Sequence, residues 1–482
     1  MSRGVRARAR ACSTTALLAA LLATPPAFAD ECTRPTDPGG GGGYDYGSAK
    51  LSSFGDAQVL VWYTTDGEHA VNPASSRADQ VPDDVATVAA VTSDALTKYA
   101  AMAFRAPLSD ALSPSCGSNG GDERFDVYLM NMRGADGMTV PESGRCASSS
   151  PKQCASYLIA KSNYAGYYDN AEIGIRTVLP HETFHAVQNA YDVDLDRFWA
   201  EGSAQWAAKT LDPALTDLER NLPAFFSQSA RSLDAPPSGV TSAFLYGSAI
   251  WPVFLSQRFG NDIVRAILEQ EGQQGDSAIT ATDAVLHAMQ SSIADEFPLF
   301  AAWNAATGAR TGTGGYLNAA DYPEVAISEL ASAGSQAITS GLASFYYHAQ
   351  ADTPVQVMLE TDNTRNRGLL VPFEDGLPRV DQVASLPAEL NGEGIVVVSG
   401  ITTNKKDAPF TVSLSASSPL PATDNRAGGC SLSSRPSASG LPDPFALLVA
   451  LFAATTLRVS RARRASSAHA AGAADRPNPS PR

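Results

Sequence analysis

Hydrophobic and polar residues in the first third of the chain show two patterns, one typical of strands and one typical of helices. Residues 58–64 (QVLVWYT) and 125–131 (FDVYLMN) are short runs rich in β-branched and aromatic residues, and they predict strands. Apolar residues at helical spacing predict a helix over 83–103, and residues 156–160 predict a further strand. Together these elements indicate an α/β half with a small sheet over residues 50–165.

The pattern becomes helical from about residue 171 and stays so to about residue 305. Apolar residues recur at the spacing of one helix face, and short polar or glycine breaks separate the segments. The predicted helices lie near residues 177–191, 198–211, 215–230, 242–258, 260–272, 278–290 and 293–307.

Beyond the helices, a Gly/Thr-rich stretch over residues 311–325 is predicted as a linker. Residues 326–418 return to short alternating runs with turn residues between them, which predicts a β-sandwich domain. Its predicted strands are 344–350, 355–359, 394–399 and 410–415. The expected fold class is therefore α+β, with a small N-terminal sheet, a mostly helical half and a C-terminal β-sandwich.

The two ends of the chain differ from its body. Residues 1–29 combine arginines, a short apolar run and Ala-Phe-Ala before Asp30, which predicts a signal peptide. Residues 30–49 contain a run of glycines and predict a flexible leader. At the other end, a linker is predicted over 419–444 and a disordered tail over 465–482.

Between those two disordered segments, residues 445–464 join a short apolar run to an arginine cluster. The run is shorter than the roughly 20 residues of a membrane helix, but the arginines after it fit the positive-inside rule. With Gly428-Gly429-Cys430 ahead of it, this end resembles the Myxo-CTERM sorting tail of myxobacterial surface proteins. The resemblance implies an exported, surface-anchored protein whose tail contacts the membrane or a sorting machinery.

Charge and cysteine content narrow the function further. The formal net charge is −15, and it becomes more negative without the arginine-rich ends, so we expect no nucleic-acid partner. An exported chain permits disulfides. Cys146 and Cys154 close a small loop and are the favoured pair, Cys32–Cys116 is the residual pairing, and Cys430 remains for tail processing.

The stretch that indicates chemistry is VLPHETFHAVQ, residues 178–188. On a helix, His181 and His185 project from one face a turn apart, so their imidazoles can reach one tetrahedral ion. Glu182 sits beside the first histidine and can reach a water without ligating the metal, as a general base does. The alternative is a pair of histidines on a helix surface.

Two details of this helix are predicted from its flanks. Thr177 is taken as the N-cap, which places Pro180 in the first turn, where a missing N–H is tolerated. Ligating imidazoles also need hydrogen-bond partners, and Asn189, Asp192 and Asp194 are close in sequence. The residues alone do not choose among these three.

A third ligand is expected, because a catalytic zinc usually takes three protein ligands and keeps one position open. Residues 198–206 (FWAEGSAQW) place Glu201 at the start of a second helix, after enough chain for a reversal of direction. Gly202 and Ala204 are small, which permits close approach of two helices beside the metal. The alternative is an acid placed at a helix N-terminus because the dipole favours it.

HExxH followed by W-x-x-E-G-x-A resembles the gluzincins, the thermolysin-like and aminopeptidase-like zinc peptidases. HETFHAVQ, WAEGSAQWAA and the later YGSAIW together resemble a family of myxobacterial surface metalloproteases with sorting tails. The resemblance covers about residues 55–310 and implies a zincin-like unit over residues 50–310. It also implies one catalytic Zn²⁺ and a set of roles: His181, His185 and Glu201 as ligands, and Glu182 as general base.

Relatives of this type place a Tyr or His on a later helix as a donor to the tetrahedral oxyanion, which makes Tyr246 a candidate catalytic residue. The alternative is a core aromatic. We therefore expect an exported zinc metallopeptidase that acts on proteins or peptides. Two other functions stay open: a surface adhesion protein with a vestigial site, and a zinc hydrolase that acts on a non-peptide bond.

Overall fold

The structure, a computed structural model, describes residues 32–416 apart from the positions 113–115, 117–118, 167, 240–241 and 404. The predicted signal peptide and the predicted sorting tail lie outside the described residues. Within the described part of the chain, no helix combines the length and the apolar character needed to cross a bilayer.

A five-stranded mixed sheet forms the first half of the fold. Its strands are β1 (Leu51–Gly55), β2 (Val59–Thr64), β3 (Phe125–Met130), β4 (Gly137–Ser149) and β5 (Lys152–Lys161). They lie in the order β1-β2-β3-β5-β4, with β2, β3 and β5 parallel and with β1 and β4 as antiparallel edges. The inner strands are buried along nearly their whole length, as parallel strands covered on both faces should be.

Helices pack against this sheet and beside it. They are α1 (Asp83–Ala101), α2 (Ala171–Asn189), α3 (Arg197–Leu211), α4 (Asp217–Phe226), α5 (Ala243–Gly247), α6 (Ile250–Phe259), α7 (Asp262–Gln274), α8 (Ala278–Ala288) and α9 (Ile293–Ala305). The single helix predicted over 242–258 is in fact α5 and α6, separated by a short break.

Helix α2 is buried from two sides, which is why it lacks an amphipathic pattern. Val178 and Leu179 pack against the sheet, together with side chains of α1. Phe184 and Val187 pack into the larger core that the following helices share. The helix predicted to carry the functional residues therefore lies at the junction of sheet and helices.

The C-terminal part of the described chain is rich in strands. They are β6 (Ser328–Glu329), β7 (Ser335–Ser340), β8 (Ser344–Thr361), β9 (Asn366–Glu374), β10 (Leu377–Pro378), β11 (Ala384–Ser385), β12 (Ala388–Gly400) and β13 (Asp407–Ala416). The main path runs β10-β9-β12-β8-β13-β7, while β11 pairs with β9 and β6 pairs with β8. The chain is thus mixed α+β with two sheets, and this region is consistent with a β-sandwich.

Both faces of the second sheet are buried around its central strand. In β12, Ile395 and Val397 belong to the core shared with the helices, whereas Val396 and Val398 belong to a separate core on the other face. The two strands predicted at 344–350 and 355–359 are one strand, because β8 pairs with β12 along its first part and with β13 along its second.

Residues 311–325 are packed rather than extended as a free linker. Tyr316 and Tyr322 are each only 4% exposed and join the helical core. The Tyr316 hydroxyl donates a hydrogen bond of 2.7 Å to the side chain of Asn304 at the end of α9. Two buried tyrosines in a Gly/Thr-rich stretch therefore correct the prediction of a linker here.

The described residues of the predicted leader, 32–49, fold onto the first sheet. Arg34 is 1% exposed, and its guanidinium contacts the carboxylates of Asp110, Asp126 and Glu142. Burial raises the pKa of Asp126 to about 7, although Arg34 beside it acts in the opposite direction. This buried ion cluster ties the segment down, so the prediction of a flexible leader is wrong for these residues.

One glycine of the run in this segment, Gly42, fits closely against the sheet. A Cβ atom at Gly42 would lie 2.8 Å from Cδ1 of Ile159 and 2.9 Å from the hydroxyl of Tyr157, and the φ of Gly42 is +61°. The Tyr46 hydroxyl lies 2.9 and 3.0 Å from two backbone carbonyls of the sheet. Gly42 therefore allows the segment to pack closely against the sheet at this point.

Both predicted cysteine pairs are present as disulfides, Cys32–Cys116 and Cys146–Cys154. The first attaches the N-terminal segment to the loop that follows α1, and the second joins β4 to β5. Two disulfides indicate a protein that folds outside the reducing cytoplasm.

Candidate metal centre

Helix α2 begins two turns earlier than the sequence predicts. Its N-cap is Asn170, whose side chain accepts a hydrogen bond from the backbone N–H of Ile173 at 2.9 Å. Thr177 is not the cap, because its hydroxyl donates to the carbonyl of Ile173 from inside the helix. Pro180 accordingly lies in the interior of α2, and the hydroxyl of Tyr99 donates a hydrogen bond to its carbonyl at 2.9 Å.

His181 and His185 face the same side of α2, as their four-residue spacing requires. Their Nε2 atoms lie 3.1 Å apart, and their rings are nearly perpendicular with centroids 4.8 Å apart. His181 is buried, and the His185 side chain is 18% exposed, so the pair opens to solvent on one side only.

Glu201 approaches this pair from the first turn of α3. The buried Phe198 and Trp199 anchor that turn in the helical core. A Cβ atom at Gly202 would lie 2.8 Å from the hydroxyl of Ser248, so the small residue predicted here does permit a close approach between helices. Its neighbour, Ser248, lies between α5 and α6.

Three ligand atoms converge at this point. Oε2 of Glu201 lies 3.2 Å from Nε2 of His181 and 3.5 Å from Nε2 of His185. With the 3.1 Å between the two imidazole nitrogens, these distances form a nearly equilateral triangle. Among the described residues, His181, His185 and Glu201 form the group of metal-ligating side chains whose ligand atoms lie close enough together to hold one ion.

The size of the triangle fits zinc. A tetrahedral ion with bonds of about 2.0–2.1 Å separates its ligand atoms by about 3.3–3.4 Å, within a few tenths of an ångström of all three sides. Two imidazoles and one carboxylate are also a donor set that catalytic zinc sites use, with the fourth position left open. The residues present therefore fit the ion that the sequence implies.

The charges of the three groups are coupled. Burial would lower the pKa of His185, but the carboxylate of Glu201, with a contribution from Glu182, raises it to about 9. Burial would raise the pKa of Glu201, but His185 and His181 beside it outweigh burial and lower that pKa. His185 and Glu201 thus stabilise each other's charged forms between the helices.

Glu182 lies next to the triangle, where α2 meets the edge strand β4. Its side chain is 9% exposed, and the Thr139 hydroxyl lies 2.6 Å from its backbone carbonyl and 3.1 Å from its Oε2 atom. A Cβ atom at Gly137 would lie 2.6 Å from Cγ of Glu182, so only a glycine lets the strand approach this closely. The strand therefore confines the carboxylate beside the triangle.

Tyr246 also lies at the centre. Its ring centroid is 5.6 Å from that of His181, and the side chain is only partly buried. Burial raises the pKa of Tyr246, and the carboxylates of Glu201 and Glu182 raise it further, so the phenol keeps its proton at neutral pH. The structure thus brings all five predicted site residues together.

The hydrogen-bond partner of His185 was missed in the sequence. Gln188 accepts from Nδ1 of His185 at 2.7 Å. None of the three candidates bonds a ligating imidazole: Asn189 donates to Ser156, and Asp192 accepts from the backbone of Lys152 and of Asp194. The signal that could have identified Gln188 is its position, three residues after His185 and so on the same helix face.

A third acidic side chain near the centre, besides Glu182 and Glu201, was also missed. Asp217, the first residue of α4, is largely buried, and burial raises its pKa while the nearby His181 lowers it. The sequence gives no signal for Asp217, because nothing in the local pattern distinguishes it from any other acid at a helix start.

His348 lies away from the centre, held between Glu329 and Glu393 on the second sheet.

Comparisons with known proteins do not assign this chain to a family. No family model matches the chain, and no curated protein matches it. Among solved structures, part of the chain is similar to a periplasmic inhibitor of g-type lysozyme from Salmonella Typhimurium. The similarity has 15% sequence identity and a TM-score of 0.15, and it covers 18% of this chain and 98% of that one. We draw nothing about function from a similarity of this extent.

Proposed function

We propose that this protein is an exported zinc-dependent peptidase with a gluzincin-type centre. The observation that carries the proposal is the triangle of His181, His185 and Glu201, whose sides of 3.1–3.5 Å suit one tetrahedral zinc ion. Glu182, a carboxylate that is not part of this triangle, stands beside it. A zincin-like arrangement of the first sheet with α2 and α3 is part of the same proposal.

When bound, a zinc ion would lower the pKa of a water molecule to about 7 and would polarise the carbonyl group of the scissile bond. The protein's own groups do the rest. Glu182 accepts the proton of the attacking water and then donates it to the leaving amine. Thr139, which contacts Glu182 at both its backbone carbonyl and its carboxylate, holds this side chain in one orientation.

The position of β4 supports a peptide as the substrate. Among the described strands, β4 pairs only with β5 and so leaves its other edge without a strand partner. An extended peptide can add to such an edge through backbone hydrogen bonds, whatever its side chains are. Thr139 and Gly137 place the start of this edge directly beside Glu182, which brings a bound peptide bond close to the general base.

The proposal is tested by zinc-dependent cleavage with the full chain. We expect the purified protein to cleave casein or a peptide library, to lose this activity on dialysis against a zinc chelator and to regain it when zinc is added back. Magnesium added to the chelated protein is the control, because a hard cation prefers oxygen ligands and should not restore activity. Undiminished cleavage after complete removal of zinc would contradict the proposal.

We assign Tyr246 the role of the hydrogen-bond donor that stabilises the tetrahedral oxyanion. Replacing it by Phe keeps the ring beside His181 and removes only the hydroxyl. We expect Tyr246→Phe to lower kcat by about 10²–10³-fold, the usual effect of losing one such donor, with little change in KM or in zinc content. Tyr347→Phe, in the core of the second sheet, is the matched control. A Tyr246→Phe variant with unchanged kcat would show that the tyrosine only packs against the histidine.

A further inference from the structure

Gln188 is a buried polar side chain that the proposed chemistry does not use directly. It lies on α2 three residues after His185 and is 2% exposed. Its amide contacts both ligand-bearing helices: its Oε1 faces Nδ1 of His185 at 2.7 Å, and its Nε2 lies 2.8 Å from the carbonyl of Ala200 and 2.8 Å from the hydroxyl of Ser203.

These partners determine which way the amide points. The carbonyl of Ala200 can only accept a hydrogen bond, so the NH₂ group of Gln188 must face it. The amide oxygen then faces His185, and since this oxygen can only accept, Nδ1 of His185 must carry a hydrogen. In the neutral imidazole, which is the form that binds a metal, the lone pair then lies on Nε2, on the side of the ring where Nε2 of His181 and the carboxylate of Glu201 lie.

The same amide also joins the two ligand-bearing helices. Ala200 and Ser203 flank Glu201 on α3, and the Ser203 hydroxyl in turn donates to the carbonyl of Trp199 at 2.7 Å. Ser203 is fully buried, so the connection is shielded from water. One side chain therefore contacts the imidazole of one ligand and the backbone next to another.

We propose that Gln188 is a positioning residue that sets the tautomer of His185 and the spacing between His185 and Glu201, so that the centre is arranged for zinc before the ion arrives. The inference rests on the proposed function, because it assigns Gln188 a role at that same centre. Outer partners of this kind usually contribute 10–100-fold to metal affinity.

The test compares Gln188→Leu with wild type in the full chain. Leucine has a similar size and no hydrogen-bonding group, so we expect the zinc Kd to rise by about 10–100-fold in a competition titration with a chromophoric chelator. Asn189→Ala is the matched control, because this neighbouring amide bonds Ser156 and not a ligand. Its zinc Kd should stay within about threefold of wild type.

A spectroscopic readout separates positioning from packing, and its measurement on the wild type does not depend on the folding of Gln188→Leu. The chain has six histidines, so ¹⁵N-histidine labelling gives a simple imidazole spectrum. In the zinc-loaded wild type we expect a slowly exchanging Nδ1–H signal from His185, assigned by its absence in His185→Gln. In Gln188→Leu that proton should exchange at least about tenfold faster, since its buried acceptor is gone.

Each outcome decides one question. An unchanged zinc Kd in a folded Gln188→Leu variant overturns the positioning role and leaves the proposed function intact. A wild-type His185 that is protonated at Nε2 in the zinc-loaded protein also overturns it. A wild-type chain that binds no zinc fails the proposed function itself, and the positioning role fails with it.

Discussion

Glu182→Gln is expected to abolish most of the turnover while the protein still binds zinc. Glutamine keeps the size of the side chain and can still accept from Thr139, so the packing of α2 against β4 should persist. An amide cannot take up the proton of an attacking water at neutral pH. Because a positioned acid–base group contributes about 10²–10⁴-fold, we expect kcat to fall by that factor.

Both kcat and the zinc content of Glu182→Gln should be measured. Loss of a general base lowers kcat and leaves the zinc content unchanged, whereas loss of a ligand lowers both. Glu172→Gln is the matched control, because this glutamate lies on the same helix at an exposed position and pairs with Arg176. We expect wild-type kcat from it. Full activity in Glu182→Gln would refute the general-base assignment, and loss of zinc from that variant would indicate that Glu182 is a ligand instead.

Glu201→Ala is expected to lose the metal itself. Its carboxylate supplies the third corner of the triangle and comes from a different helix than the two histidines. Removing an outer partner already weakens binding by 10–100-fold, so removing a ligand should raise the zinc Kd by more than about 100-fold. We expect near-zero zinc after dialysis and, as a consequence, no measurable peptidase activity.

Two comparisons make this result specific. Glu269→Ala removes a glutamate of α7 that pairs with Arg265 nearer the surface, and it should leave the zinc Kd unchanged. Near-UV circular dichroism of Glu201→Ala should match wild type, since alanine at this partly buried position leaves the anchors Phe198 and Trp199 in place. Retention of tight zinc binding by Glu201→Ala would remove Glu201 from the ligand set.

The predicted site could be read from the sequence because its residues are close together in two short motifs. Helical spacing alone places His181 and His185 on one face of a helix, and the small residues around Glu201 predict a close approach between helices. The structure brings these groups together as expected. Tyr246 is more distant in sequence, and only the resemblance to known peptidases pointed to it.

Other features depend on contacts that a local pattern does not contain. Strand β4 carries a proline, several serines and two charged residues and has no clean alternation, so its place at the sheet edge beside Glu182 was not predicted. The N-terminal segment looks flexible by composition, and only the buried partners of Arg34 show why it is ordered. Similarly, Gln188 is one amide among many until its two acceptors on α3 are known.

The sequence pattern also predicts wrong boundaries for some helices and strands. Thr177 looked like a cap because Pro180 follows it, yet tertiary packing of α2 between the sheet and the helices keeps the proline inside a longer helix. In the second sheet, the polar middle of β8 interrupts the apolar alternation and so predicts two strands, although β8 pairs with β12 on both sides of residues 352–354 and with β13 beyond them.

The most direct test is anomalous diffraction at the zinc absorption edge from crystals of the wild-type protein. We predict a single strong peak about 2.0–2.2 Å from Nε2 of His181, Nε2 of His185 and one carboxylate oxygen of Glu201. No peak at this position in zinc-soaked crystals, or a peak bound by the histidines with Glu201 turned away, would contradict the account.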